Sequence, residues 1–175
     1  MAIKVVELHH TGVRIDARDQ SMAALRDFYT GEGDKYRKLQ PSELVTRIIL
    51  PRSSAGYHGA YRKLRIRGSI DYPLAGVAVS MKRSNGHVED LQIAMTAVNP
   101  APSLVPGLAQ LLDRGISDEA IAETAGDMAA RTANPLTTSA LTPEYRRETI
   151  RMFTKRAVLD VLGQRPRTND QRRDY

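Results

Sequence analysis

The chain has no cysteine and no tryptophan, and aromatic residues make up only 5% of its 175 positions. The lack of cysteine excludes disulfides, thiolate nucleophiles, and iron–sulfur or zinc–cysteine sites built from this chain. It fits a reducing compartment. With so few aromatics, aliphatic side chains must fill most of the core. No apolar run approaches the roughly 18 residues needed to span a bilayer. Glu7, His9 and His10 interrupt any signal-peptide core at the N-terminus. These features together predict a cytoplasmic protein.

Several catalytic signatures are also missing. His9, His10, His58 and His87 are the only histidines, and they form neither an HExxH motif nor a facial triad. That gives no metal site. The serines lie in no GxSxG elbow, so no hydrolase triad is indicated. Gly31-Glu32-Gly33 lacks the third glycine of a dinucleotide fingerprint and the ending of a P-loop, and reads as a turn. No residue is assigned a catalytic role.

What is present is a composition of 41% hydrophobic residues with a net charge of +6. This is globular, and the length suits one domain or slightly more. Part of the positive charge lies in the last eleven residues, RPRTNDQRRDY, where four Arg face two Asp. Such a segment reads as a solvated tail. No aromatic-interleaved basic motif or recognition-helix pattern supports nucleic-acid binding.

Along the chain, residues 3–8 and 13–15 read as strands flanking a turn at His9 to Gly12. Residues 22–29 suggest a short helical turn, and 30–42 a loop. Glu43 to Leu50 reads as a strand ended by Pro51, and 52–59 as a second loop. Ala60 to Arg67 reads as extended, and Leu74 to Met81 as a strand. Asn85-Gly86 signals a hairpin, with Val88 to Val98 returning. Leu104 to Leu112 predicts a short helix ending near Gly115. Ser117, followed by Asp118 and Glu119, opens a helix to about Ala130 with Ile121, Ala125 and Met128 on one face. Thr142-Pro143-Glu144 opens a last helix to about Leu162, with Ile150, Phe153, Ala157 and Val161 as its core stripe. Strands first and helices last predict an α+β fold, with an antiparallel sheet of about three main strands packed on C-terminal helices.

The densest chemistry lies in Tyr61 to Val79, YRKLRIRGSIDYPLAGVAV, where Arg62, Lys63, Arg65 and Arg67 precede a turn and Asp71. Alternation in a strand would put Arg62 on one face and Lys63 on the other. A basic loop feeding a buried strand suits an anionic group. It equally suits an edge strand made basic to discourage aggregation.

Three blocks bear on that choice: Leu25 to Pro51, Tyr61 to Val79 and Tyr145 to Ala157. They contain a DFF-like turn, a Pro-x-Glu-Leu-Val strand ending in Pro, a Tyr-x-Lys…Arg…Asp segment, a strand rich in Val and Ala, and an Arg-rich final helix. In this order and spacing they resemble the C-terminal part of the FAD-binding medium subunit of the molybdenum hydroxylases, the xanthine dehydrogenase and carbon monoxide dehydrogenase family. The match covers roughly residues 20–160. Tyr61 to Arg65, Asp71 to Leu74 and Thr96 to Pro102 are similar to the β subunit of 4-hydroxybenzoyl-CoA reductase.

The resemblance implies three parts. Residues 1–51 would be the incomplete tail of a flavin-binding domain. Residues 52–163 would be a CO dehydrogenase flavoprotein C-terminal-like domain, and 164–175 a basic tail. It implies an oxidoreductase subunit, not active alone, that passes electrons among flavin, iron–sulfur and molybdenum centres. The implied partners are a large molybdenum subunit, a small iron–sulfur subunit and a chain carrying the FAD loops. The family holds FAD mainly through two glycine-rich loops, whose backbone N–H groups take the pyrophosphate. This chain has no Gly-Gly dipeptide and is expected to begin after both loops. FAD is therefore expected only where another chain supplies that half. Lys63 is the first candidate for a cation beside the flavin ring, Arg62 the next, with Tyr61 and Asp71 completing the cofactor-binding set. Asp71 would fix the loop by pairing Arg65 or Arg67. Without cysteine, the extra iron–sulfur cluster of the 4-hydroxybenzoyl-CoA reductase β subunit is excluded. Two other readings stay open: an assembly module that kept the fold and lost the flavin, and an unrelated basic module for RNA or an acidic partner.

Overall fold

The computed structural model describes residues 9–14, 20–40, 43–67, 72–112, 115–137 and 141–163. The readings on residues 3–8, on the tail from 164 and on Asp71 lie outside the described residues. Among the described residues two antiparallel sheets form.

The first sheet contains β1 (His9–Arg14), β2 (Gln20–Ala24) and β3 (Glu43–Ile49) in the order β2-β1-β3. The sequence suggested a turn at His9 to Gly12, but β1 runs straight through it and pairs on both sides. Gly12 marks a slip in register after Thr11 instead of a reversal, as a glycine within a strand often does. Helix α1 (Leu25–Phe28) is shorter than the helical turn expected over 22–29, because Ala24 is extended and its side chain cannot cap. The 30–40 connection is a loop, as expected. Thr30 ties it together: its hydroxyl donates to Lys35 O at 2.6 Å and accepts from Glu32 N at 3.0 Å.

The second sheet contains β4 (Tyr57–Leu64), β5 (Ala75–Ser84), β6 (His87–Thr96) and the short β7 (Ser103–Leu104), in that order. β4 starts three residues earlier than expected. Tyr57 is buried there and donates its hydroxyl to Asp90 Oδ2 at 2.6 Å, so the start is set by a cross-strand contact. Asn85 and Gly86, at φ of 50° and 82°, make the tight turn between β5 and β6. The helix expected from Leu104 shrinks to α2 (Ala109–Leu112), because Ser103 and Leu104 pair with Met95 and Ala94. Pro106 then separates strand from helix.

Helices α3 (Asp118–Thr132) and α4 (Pro143–Leu162) open where their caps predict. Ser117 Oγ accepts from Ala120 N at 3.3 Å, and Thr142 Oγ1 accepts from Tyr145 N at 3.2 Å. Each hydroxyl satisfies an N–H that the first helical turn leaves without a partner. α3 and α4 pack on each other, and α4 crosses β4 and β5.

The core follows from strand periodicity. Ala75, Val77, Val79 and Met81 of β5, with Leu91, Ile93 and Met95 of β6, point to the helices and are buried. Ile121, Ala125 and Ala129 of α3, with Ile150, Ala157 and Val161 of α4, meet them. This cluster is entirely aliphatic and methionine. Phe153 and Met128, expected in the core stripes, pack against its border. The intervening strand residues form the opposite face of the sheet. In register, its rows are Tyr57–Lys82–Asp90, Gly59–Ser80–Gln92, Tyr61–Ala78–Ala94 and Lys63–Gly76–Thr96.

Candidate functional site

β4 divides its cations as alternation requires. Arg62 turns toward the helices, where its Nη2 donates to Asp160 Oδ2 of α4. Both side chains are about half-buried, and Arg62 Nε is buried without a hydrogen-bond partner. Tyr61 and Lys63 stand on the opposite face and are exposed, Tyr61 at 55%. The strand thus spends one cation on holding α4 and leaves its neighbour available.

Lys63 stands across from Gly76, and Gly76 across from Thr96. A side chain at Gly76 would be driven into Thr96 Oγ1 and would come within 3.3 Å of the Tyr61 hydroxyl. Two hydroxyls thus converge over a bare stretch of backbone, with the exposed Tyr61 and Lys63 on the same face. Such a surface offers a flat apolar ring, a positive charge and hydrogen-bonding hydroxyls. It suits a planar partner that carries or gains negative charge.

The connection from β4 to β5 leaves the sheet beside this row. Its neck is closed by Leu74 N donating to Leu64 O at 2.8 Å. Ile66 and Tyr72 are exposed, at 65% and 89%, while Arg65 is half-buried. Asp71 lies outside the described residues, so the structure brings together three of the four predicted residues on one strand, two of them on one face.

Below the neck lies a residue to which the sequence reading gave no role. Arg146, on α4, is only 5% exposed. Its Nε donates to Leu74 O at 2.8 Å, its Nη1 to Leu136 O at 3.0 Å, and its Nη2 to Ala97 O. Burial holds the guanidinium below its ordinary pKa. Ala97, the first residue after β6, has a left-handed φ of 66°, which costs a non-glycine residue about 1 kcal/mol or more. A signal for Arg146 existed. It lies four residues before Ile150 and eleven before Ala157, on the stripe that enters the core.

The remaining charges lie at the surface. Arg151 bridges α3 and α4, with Nη1 to Glu123 Oε1 at 2.9 Å and Nη2 to Glu148 Oε1 at 2.7 Å. Hydrogen bonds from Arg151 and Lys155 hold Glu148 and Glu123, respectively, below the usual carboxylate range. Among the described residues, no group of three or more His, Asp or Glu could hold a metal ion. No helix there is long and apolar enough to cross a membrane.

The family described as the CO dehydrogenase flavoprotein C-terminal domain matches residues 59–161, from within β4 to the last turn of α4. The chain belongs to this family. The matched segment contains the Tyr61–Lys63 face, the Arg146 contacts and the whole aliphatic core. The chain is similar to the glyceraldehyde dehydrogenase medium chain of Sulfolobus acidocaldarius, with 25% identity over 92% of this chain and 56% of that one. It is 31% identical to the carbon monoxide dehydrogenase medium chain of Hydrogenophaga pseudoflava, over 69% of this chain and 42% of the other. The crystal structure of quinoline 2-oxidoreductase from Pseudomonas putida 86 superposes with a TM-score of 0.75 over 91% of this chain and 54% of that one. At 18% identity that likeness bears on fold alone. The chain spans about half the length of the curated relatives it matches. The resemblance to the C-terminal part of a flavoprotein medium subunit, and the α+β architecture, are therefore correct.

Proposed function

We propose that this chain serves as part of the FAD subunit of a molybdenum-hydroxylase-type oxidoreductase, in the cytoplasm, and passes electrons among flavin, iron–sulfur and molybdenum centres. The observation that carries this reading is the exposed Tyr61–Lys63 face, set within a domain of the flavoprotein family. The residues present fit the ring end of a flavin: an aromatic plane, an ammonium and two hydroxyls over Gly76. They do not fit its pyrophosphate, because the sequence has no Gly-Gly dipeptide to supply a nest of N–H groups. Glycine loops outside these 175 residues complete the site, and a large molybdenum subunit and a small iron–sulfur subunit complete the assembly.

Flavin, when bound, accepts and donates the electrons that the other centres exchange. This chain's residues then act by position and charge. Lys63 would supply a positive charge on this face, which favours the more negative, reduced state of a bound flavin. Tyr61 places its hydroxyl over Gly76 on the same face. Arg62, turned to Asp160, keeps β4 against α4 so that Lys63 stays on the open face. The likeness of Tyr61 to Arg65 and of Asp71 to Leu74 to the 4-hydroxybenzoyl-CoA reductase β subunit supports the same role. The molybdenum subunit chooses the substrate.

The test is purification of the tagged chain from its native cells with an absorbance spectrum. A flavin and iron–sulfur spectrum with two larger or smaller partner subunits is expected. A solitary, colourless chain would overturn the reading and favour an assembly module that lost the flavin.

A further inference from the structure

We propose that Arg146 is a positioning residue for the β4–β5 connection: it sets where the described parts of that connection stand, 65–67 and 72–74, and not whether the domain folds. Leu74 lies one residue before the ladder, which starts at Leu64↔Ala75. Its N–H closes the neck on Leu64 O, and its carbonyl turns to Arg146 Nε. The same guanidinium takes Ala97 O at the end of β6 and Leu136 O in the segment before α4. One rigid fork thus ties together three backbone segments where regular pairing has ended. A guanidinium presents several donors in one plane, whereas an ammonium is a point charge that cannot reproduce the fork.

The fold has other supports. Ile150, one turn along α4, is fully buried among the strand residues. The far end of α4 is held by Asp160 to Arg62 and by Leu162 O, which accepts from Arg83 Nη1 at 2.9 Å. Removing Arg146 leaves these in place. It leaves three part-buried carbonyls without their donor, and the backbone shifts toward water where it is least held by regular pairing. Ala97, held at a left-handed φ, and the neck at Leu74 are those places. Lys63 and Tyr61 stand one and three residues before Leu64 of that neck, so the connection's position becomes theirs.

The experiment is amide hydrogen exchange on the full chain, comparing wild type, Arg146→Gln and Arg146→Lys. In Arg146→Gln the amides of Arg65 to Arg67, Tyr72, Leu74 and Ala97 to Asn99 exchange about tenfold faster or more, the change expected from losing one charge-assisted bond. The amides of Val79 and Ile93 change by less than about threefold. Arg146→Lys recovers only part of the local protection. Equal acceleration everywhere, or no local change, overturns the proposal. If Arg146→Gln does not fold, Arg146→Lys is the variant read, and loss of the fold in both makes Arg146 a fold determinant and overturns it as well. The functional arm rests on the flavin reading above. In the assembled complex, Arg146→Gln shifts the flavin midpoint potential in the same direction as Lys63→Ala. A local exchange change with no potential shift in either variant refutes the placement of Lys63 beside the flavin and leaves the positioning role standing, whereas a complex without flavin refutes the flavin reading itself. A shift with Lys63→Ala alone refutes the positioning of the flavin face by Arg146.

Discussion

Replacing Gly76 by Ala separates a steric requirement from simple glycine permissiveness, because the two predict opposite signs. Glycine in a strand is costly, and Ala at an unstrained position usually stabilises by about 0.4–1 kcal/mol through the unfolded chain. Here the new methyl would be driven into Thr96 Oγ1 and would lie 3.3 Å from the Tyr61 hydroxyl. The Tyr61 tip is exposed and can yield, whereas Thr96 is fixed on the neighbouring strand. Overpacking of this kind costs about 1–3 kcal/mol, so Gly76→Ala is expected to destabilise by a net of about 1–2 kcal/mol. In thermal unfolding that is a fall of roughly 2–8 °C for a chain of this size. Thr96→Ala removes the offending oxygen and leaves its Cβ 3.8 Å from the new methyl, an ordinary contact. The double variant should then recover about 1 kcal/mol or more as coupling between the two sites. The assay is urea unfolding followed by circular dichroism, since no tryptophan is present. A stabilised Gly76→Ala, or a double variant with purely additive losses, would refute the packing described for this face.

Further predictions concern the core, a cap and pH. Ile93→Ala, at a fully buried site in the aliphatic cluster, is expected to cost about 2–5 kcal/mol, read from the urea midpoint at constant m. Thr142→Ala, which removes the acceptor for Tyr145 N, should cost about 1 kcal/mol, while Thr142→Ser retains most of the stability. Glu148 and Glu123 are depressed by their hydrogen bonds to Arg151 and Lys155. Their contribution is therefore present above the unfolded carboxylate pKa, near 4.3, and is lost as pH falls through the folded values. Stability should stay level from these groups between about pH 7 and 5 and fall in acid. Glu148→Gln should flatten part of that fall, and high salt should reduce it.

The parts of the fold that were legible in sequence are those decided locally. Asn85-Gly86 specifies its own turn, Ser117 and Thr142 cap the helices that follow them, and Val77, Val79 and Ile93 show the strand period directly. The parts that were not legible depend on a distant partner. β1 continues through Gly12 because β2 and β3 pair with it on either side. β4 starts at Tyr57 because Asp90 receives its hydroxyl, and β7 replaces the start of a helix because β6 offers an open edge. At the site, the split of Arg62 from Lys63 followed from alternation alone. The carboxylate that holds Arg62 did not, since Asp160 comes from the last turns of α4. Arg146 lay on a visible core stripe, yet its three carbonyl partners belong to segments joined only by the tertiary fold.

The central claim is that this chain presents Lys63 to a flavin ring. The measurement that tests it most directly is the flavin midpoint potential of the purified assembly with Lys63→Ala and Lys63→Arg. The account predicts a lower potential in Lys63→Ala, because reduction then proceeds without the nearby positive charge, and a value near wild type in Lys63→Arg. An unchanged potential in Lys63→Ala, with the flavin still bound and the fold intact, would contradict it.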